Sequence, residues 1–97
     1  MEITKNCEGN TVELALKGRL DTITAPKLEE ELGTLPGVET LILNFAELEY
    51  ISSAGLRVLL AAQKIMNKQG KMVLRQVCDD IMEVFDITGF CDILTIE

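Results

Sequence analysis

The 97 residues predict an α/β fold: a mostly parallel mixed sheet of about five strands with about three helices. Three observations lead there. Strand-like and helix-like segments alternate from Thr11 onward, the pattern of successive βαβ units. The run Leu41-Ile42-Leu43, continued by Asn44 and Phe45, is nearly unbroken in apolar character, which suggests a strand covered on both faces. The stretch from about Ser53 to Lys68 then repeats apolar residues at helical spacing.

Met1 to Lys5 reads as a short strand, and Glu8-Gly9-Asn10 as the turn after it. Thr11 to Leu16 alternates, with Val12, Leu14 and Leu16 on one face, so the two segments form an antiparallel hairpin. Gly18 breaks that pattern. Thr24 is the expected N-cap of the first helix, with Pro26 inside the first turn, where its missing N–H costs nothing. Leu28, Leu32 and Leu35 form the inward stripe of this helix, and Glu29, Glu30 and Glu31 face water. Gly33 and Pro36-Gly37 end it.

Glu39 to Phe45 is the central strand, and Ala46 to Ile51 a six-residue loop. The second helix turns Leu56, Val58, Leu59, Ala62, Ile65 and Met66 inward and Arg57, Lys64 and Lys68 outward, and stops at Gly70. Lys71 to Val77 is the next strand. Asp79 or Asp80 caps a third helix with Ile81, Val84 and Phe85 inward, Thr88-Gly89 ends it, and Ile93 to Ile96 is a last short strand.

The length suits one domain, residues 1–97, which buries roughly 60–70% of its unfolded surface in one modest core. Aromatic residues make up only 4%, so that core is aliphatic. A net charge of −7 repels phosphate backbones and anionic lipid, which argues against nucleic-acid and membrane partners and for proteins that present a basic patch. The opening MEITKNCEG lacks a basic segment followed by an apolar one, so no signal peptide is expected. No apolar run approaches the ~18 residues of a membrane span. Cys7, Cys78 and Cys91 have no CxxC spacing and read as free thiols of a reducing cytosol, packed as small hydrophobes. With no histidine, a zinc site would need carboxylate ligands, and none is expected.

Chemistry concentrates at Ser52-Ser53-Ala54-Gly55, where the central strand delivers the second helix. A nucleophilic serine needs a base; the chain lacks histidine and the GxSxG elbow, so an enzyme is not expected. Neither GxxxxGK[ST] nor GxGxxG occurs, so the signal for nucleotide binding is weak and rests only on the free N–H donors of a helix N-terminus; no cofactor is expected. Two readings of Ser53 remain. It caps the helix, or it accepts a phosphate, whose charge of about −1.5 to −2 the helix N-terminus tolerates while the docking surface changes. Gly55 either lets a partner approach closely or packs helix against strand.

At these residues the chain resembles the STAS domain family, and within it the small bacterial anti-sigma factor antagonists. Two motifs carry the resemblance: Gly18-Arg19-Leu20-Asp21 with Thr24-Ala25 and Leu28, and Leu43-Asn44-Phe45 through Tyr50-Ile51-Ser52-Ser53-Ala54-Gly55-Leu56, followed by Val58 and Leu59. The order and spacing of elements match over essentially the whole chain. The resemblance implies partner switching in the cytoplasm. An unphosphorylated antagonist binds an anti-sigma factor that is also a serine kinase of the GHKL type, and so frees the sigma factor. Phosphorylation of a serine at the start of the second helix releases the antagonist, and a PP2C-type phosphatase resets it. That serine aligns with Ser53, with Ser52 the second choice, because Ser52 stands where the family usually has aspartate and Ala54 where it usually has serine or threonine. The implied partner-binding residues are Asp21, Thr22, Tyr50, Ser52, Ser53, Ala54, Gly55, Leu56 and Arg57. STAS domains also serve as accessory binding modules of transport or signalling complexes without a sigma factor, which is the alternative reading.

Overall fold

The computed structural model describes residues 1–33 and 35–97. In chain order the elements are β1 (Glu2–Glu8), β2 (Thr11–Leu20), α1 (Ala25–Leu32), β3 (Thr40–Ile51), α2 (Ser53–Gln69), β4 (Lys71–Arg75), α3 (Asp79–Thr88) and a short 3-10 turn, Phe90–Asp92. The four strands lie in the order β1-β2-β3-β4. β1 pairs antiparallel with β2, closing on the turn at Gly9, while β2–β3 and β3–β4 are parallel. The expected antiparallel addition to a parallel sheet is therefore present. The expected last strand is not: Ile93 to Ile96 contributes only one bridge, Ile96 beside Leu74.

The central strands run further than their hydropathy indicates. β2 passes through Gly18 without ending; the glycine adopts φ +103° at a shift in register, a conformation that disfavours any side chain. Beyond it Gly18 pairs with Leu48, Arg19 with Tyr50 and Leu20 with Ile51, so Ala46 to Ile51 is strand and not loop. The polar residues Glu47 and Glu49 hid it: they lie on an exposed stretch where only Leu48 and Ile51 are buried.

All three helices share one core with the sheet. Leu28 and Leu32 of α1, Leu59, Ala62 and Met66 of α2, and Ile81 and Phe85 of α3 join Val12, Leu14, Leu16, Leu41, Leu43, Phe45, Met72 and Leu74. The opposite sheet face carries Glu2, Thr4, Glu13, Ala15, Lys17, Ile42, Asn44 and Arg75, all exposed or half-buried, with Val73 beside Ile42 buried among them. β3 is thus covered on one face. Asn44, which donates to Glu13 Oε2 at 3.4 Å, marks the polar side that the run Leu41-Ile42-Leu43 concealed.

Several local expectations need correction. Ile65 is 43% exposed, while Gln63, two positions earlier, is buried. Glu31 is half-buried, and Cys7 and Cys78 are exposed, whereas Val84 packs against the core as expected. Cys78, not an aspartate, holds the N-cap position of α3; Asp79 and Asp80 fill the first turn, where their charge favours the helix dipole. β4 stops at Arg75, before Gln76 turns to φ +60°. Gly70 does end α2, for a steric reason: a β-carbon there would collide with the Glu39 carbonyl, which accepts the Lys71 N–H at 2.9 Å.

Candidate functional site

The site is built where the C-terminal ends of β2 and β3 meet the first turns of α1 and α2. Leu20 and Ile51 pair as the last residues of their strands, and the Ser52 N–H donates to the Leu20 carbonyl at 2.9 Å. This bond holds Ser52 in an extended conformation (φ −101°, ψ 175°). Its hydroxyl then accepts the Gly55 N–H at 3.4 Å, and its carbonyl accepts the Leu56 N–H at 3.0 Å. Ser52 is therefore the N-cap. Ser53 is the first helical residue; its side chain is exposed and has no hydrogen-bond partner among the described residues.

A second polar cluster frames this turn. Asp21 Oδ1 accepts the Ile23 N–H at 3.0 Å and the Thr24 N–H at 3.1 Å. The Thr24 hydroxyl accepts the Asp21 N–H at 2.9 Å and donates to the Arg19 carbonyl at 2.7 Å. Thr24 thus occupies the N-cap position of α1, but its oxygen ties down the preceding turn instead of the helix. The Thr24 amide above all, then the Ile23 amide, the Thr24 hydroxyl and the Arg19 charge, hold the Asp21 carboxyl below its ordinary 3.8, against an opposing desolvation. Arg19 lies 3.8 Å from Asp21 Oδ2 and stacks over the Tyr50 ring, 4.1 Å from its centroid.

Between α1 and α2 runs a shallow groove. Thr22, Pro26 and Glu29 line one side; Ala54 and Arg57 line the other. No three His, Cys, Asp or Glu side chains converge on a metal-binding arrangement among the described residues. No helix of the described residues is long and apolar enough to cross a membrane.

With this geometry in place, comparison with known proteins identifies the family. The sequence model of the STAS domain matches residues 2–97. The chain belongs to the STAS domain family. It is 35% identical over 99 residues to BtrV of Bordetella bronchiseptica, named as an anti-sigma factor antagonist, with 99% of this chain and 85% of that protein aligned. It is 31% identical over 96 residues to the anti-sigma-B factor antagonist of Listeria monocytogenes, with 96% and 84% aligned. The fold matches the anti-sigma factor antagonist SpoIIAA in its unphosphorylated form with a TM-score of 0.78 at 20% identity, over 99% of this chain and 87% of that one. It matches the Bacillus SpoIIAA in its phosphorylated form with 0.77 at 21%, over 99% and 91%.

In this STAS domain the residues expected at the partner surface divide in two. Asp21, Thr22, Tyr50, Ser52, Ser53, Ala54 and Arg57 gather at one end of the sheet, all exposed or half-buried. Gly55 and Leu56 do not join them; both are buried and face the core. The sequence places Arg19 in a family motif but not at this surface, and gives no sign of Ile23. Arg19 meets Tyr50 only because of the register shift at Gly18, which no local pattern announces. Ile23 is 87% exposed, held outward by the turn on Asp21.

Proposed function

We propose that this STAS domain is an anti-sigma factor antagonist that acts by binding, in the cytoplasm, and is switched by phosphorylation at Ser53. The names of its relatives support the antagonist role. One observation carries the choice of residue: Ser52 is engaged as the helix cap, while the neighbouring Ser53 hydroxyl is exposed and uncommitted. In the unmodified state the surface around Ser53, Asp21, Thr22 and Tyr50 docks on an anti-sigma factor and frees a sigma factor. The anti-sigma factor is a serine kinase of the GHKL type. Ser53 Oγ attacks the γ-phosphorus of ATP, loses its proton and forms the phosphate ester, with ADP as leaving group. Added charge at the centre of the docking surface then weakens the complex, and a PP2C-type phosphatase restores the hydroxyl by hydrolysis. The fold tolerates the charge because the N-terminus of α2 carries the positive end of its dipole.

The test is to incubate the protein with ATP and the serine-kinase anti-sigma factor from its own genome, map phosphate by mass spectrometry, and measure binding of Ser53→Ala and Ser53→Asp. The expected result is phosphate on Ser53, persistent binding by Ser53→Ala and weak binding by Ser53→Asp. Absence of phosphate on both serines together with absence of binding overturns the reading. Equal binding by the two variants overturns the switch.

A further inference from the structure

We propose that Arg57 is the internal counter-ion of a phosphate carried on Ser53, so that one modification changes the docking surface twice. The inference rests on the reading of Ser53 as the phosphoacceptor. Ser53 and Arg57 stand four residues apart on α2, one turn along the same side of the helix, and both are exposed. Arg57 has no carboxylate within ion-pair distance among the described residues. Of the other cations at this end of the sheet, Arg19 is already engaged by Asp21 and the Tyr50 ring, and Lys27 donates to the Met1 carbonyl at 3.0 Å.

The negative groups nearby leave Arg57 available. Asp21 turns its carboxylate into its own loop. Glu29 lines the same groove from α1 but forms no ion pair with Arg57. No acidic residue occupies the first turn of α2. From α2, Ala54, Arg57 and Val58 line the groove, and Ala54 and Val58 bring no charge to it. A phosphate on Ser53 is therefore the strongest anion within reach of a planar guanidinium that matches its oxygens in pairs. Phosphorylation adds an anion and, in the same step, withdraws the Arg57 cation from any partner carboxylate that reads it.

The test installs phosphoserine at position 53 by codon reassignment, independent of any kinase, and follows the phosphorus resonance through pH. The second phosphate ionisation, ordinarily near a pKa of about 6, should lie about 0.3 of a unit lower with Arg57 than with Arg57→Gln. The difference should shrink with added salt, and Arg57→Lys should retain it. Equal ionisation in wild type and Arg57→Gln overturns the pairing. A shift lost equally in Arg57→Lys assigns it to packing and overturns the counter-ion. A kinase assay that leaves Ser53 bare overturns the Ser53 reading instead, and does not touch this titration.

Discussion

Gly55 lies directly on Leu20: a β-carbon at position 55 would stand 2.8 Å from Leu20 Cγ and 2.9 Å from Ile51 Cγ1. The Gly18-Arg19-Leu20-Asp21 motif and the Ser52-to-Leu56 motif are thus joined through the core, while their polar members face solvent on either side of the contact. The close approach of α2 to the strand ends sets where Ser53 emerges.

Gly55→Ala should therefore destabilise the domain, even though alanine is the better helix former by about 1 kcal/mol. Overpacking typically costs about 1–3 kcal/mol, leaving a net loss of up to about 2 kcal/mol. Urea unfolding checks the magnitude. In a Leu20→Ala background the penalty should shrink, because the two Leu20 contacts are gone while Ile51 Cγ1 remains; a full penalty in both backgrounds would contradict the contact.

The two serines should separate in the same measurement. Ser52→Ala removes the cap of α2 and should cost about 0.5–1 kcal/mol, toward the low side because the bond is 3.4 Å long. Ser53→Ala removes no hydrogen bond and should stay within about 0.5 kcal/mol of wild type. The reverse ranking would move the cap to Ser53.

Asp21 supplies a pH dependence of known sign. Its carboxyl ionises below 3.8 in the folded chain, so the stability it contributes is fully present above that value and is lost as pH falls through the depressed folded value. Asp21→Asn keeps an oxygen for the Ile23 and Thr24 amides but has no such titration. Wild type should be the more stable near neutrality, and the gap should close in strong acid. Thermal melts across that range decide it; a gap that widens on acidification would contradict the turn geometry.

Gln63 is a buried polar residue on α2 whose Nε2 donates to Asn67 Oδ1 at 2.8 Å while its Oε1 has no partner among the described residues. An unmatched buried acceptor costs about 1–3 kcal/mol, so Gln63→Met, similar in volume, should be neutral or stabilising by about 1 kcal/mol in a thermal melt. A clear loss of stability would mean that the amide oxygen is satisfied.

The sequence pattern carried most of the element order, because Leu28 and Leu32, Leu59 and Met66, and Ile81 and Phe85 each stand at helical spacing and Val12, Leu14 and Leu16 alternate. It failed where a signal was not local. The extension of β3 to Ile51 depends on pairing with residues beyond the Gly18 bulge, more than two dozen positions away in the chain. The one-sided sheet was hidden because Ile42, on the polar side, is as apolar as Leu41 and Leu43. At the site, Ser53 was legible from its place before a helix, but the cap belongs to Ser52 because the Leu20 carbonyl positions it. Gly55 admitted an outward and an inward reading, and only the position of Leu20 chose between them.

The division of labour between adjacent serines has a consequence for how long the protein lasts. A charge placed on Ser53 breaks no hydrogen bond of the fold, so the modified chain visits the unfolded state, from which proteases draw, nearly as rarely as the unmodified one. Under the proposed switch the two forms would share one lifetime. A signal written at Ser53 would change the proportion of the pool in each state and leave the size of the pool alone, so it could be erased and rewritten without new synthesis.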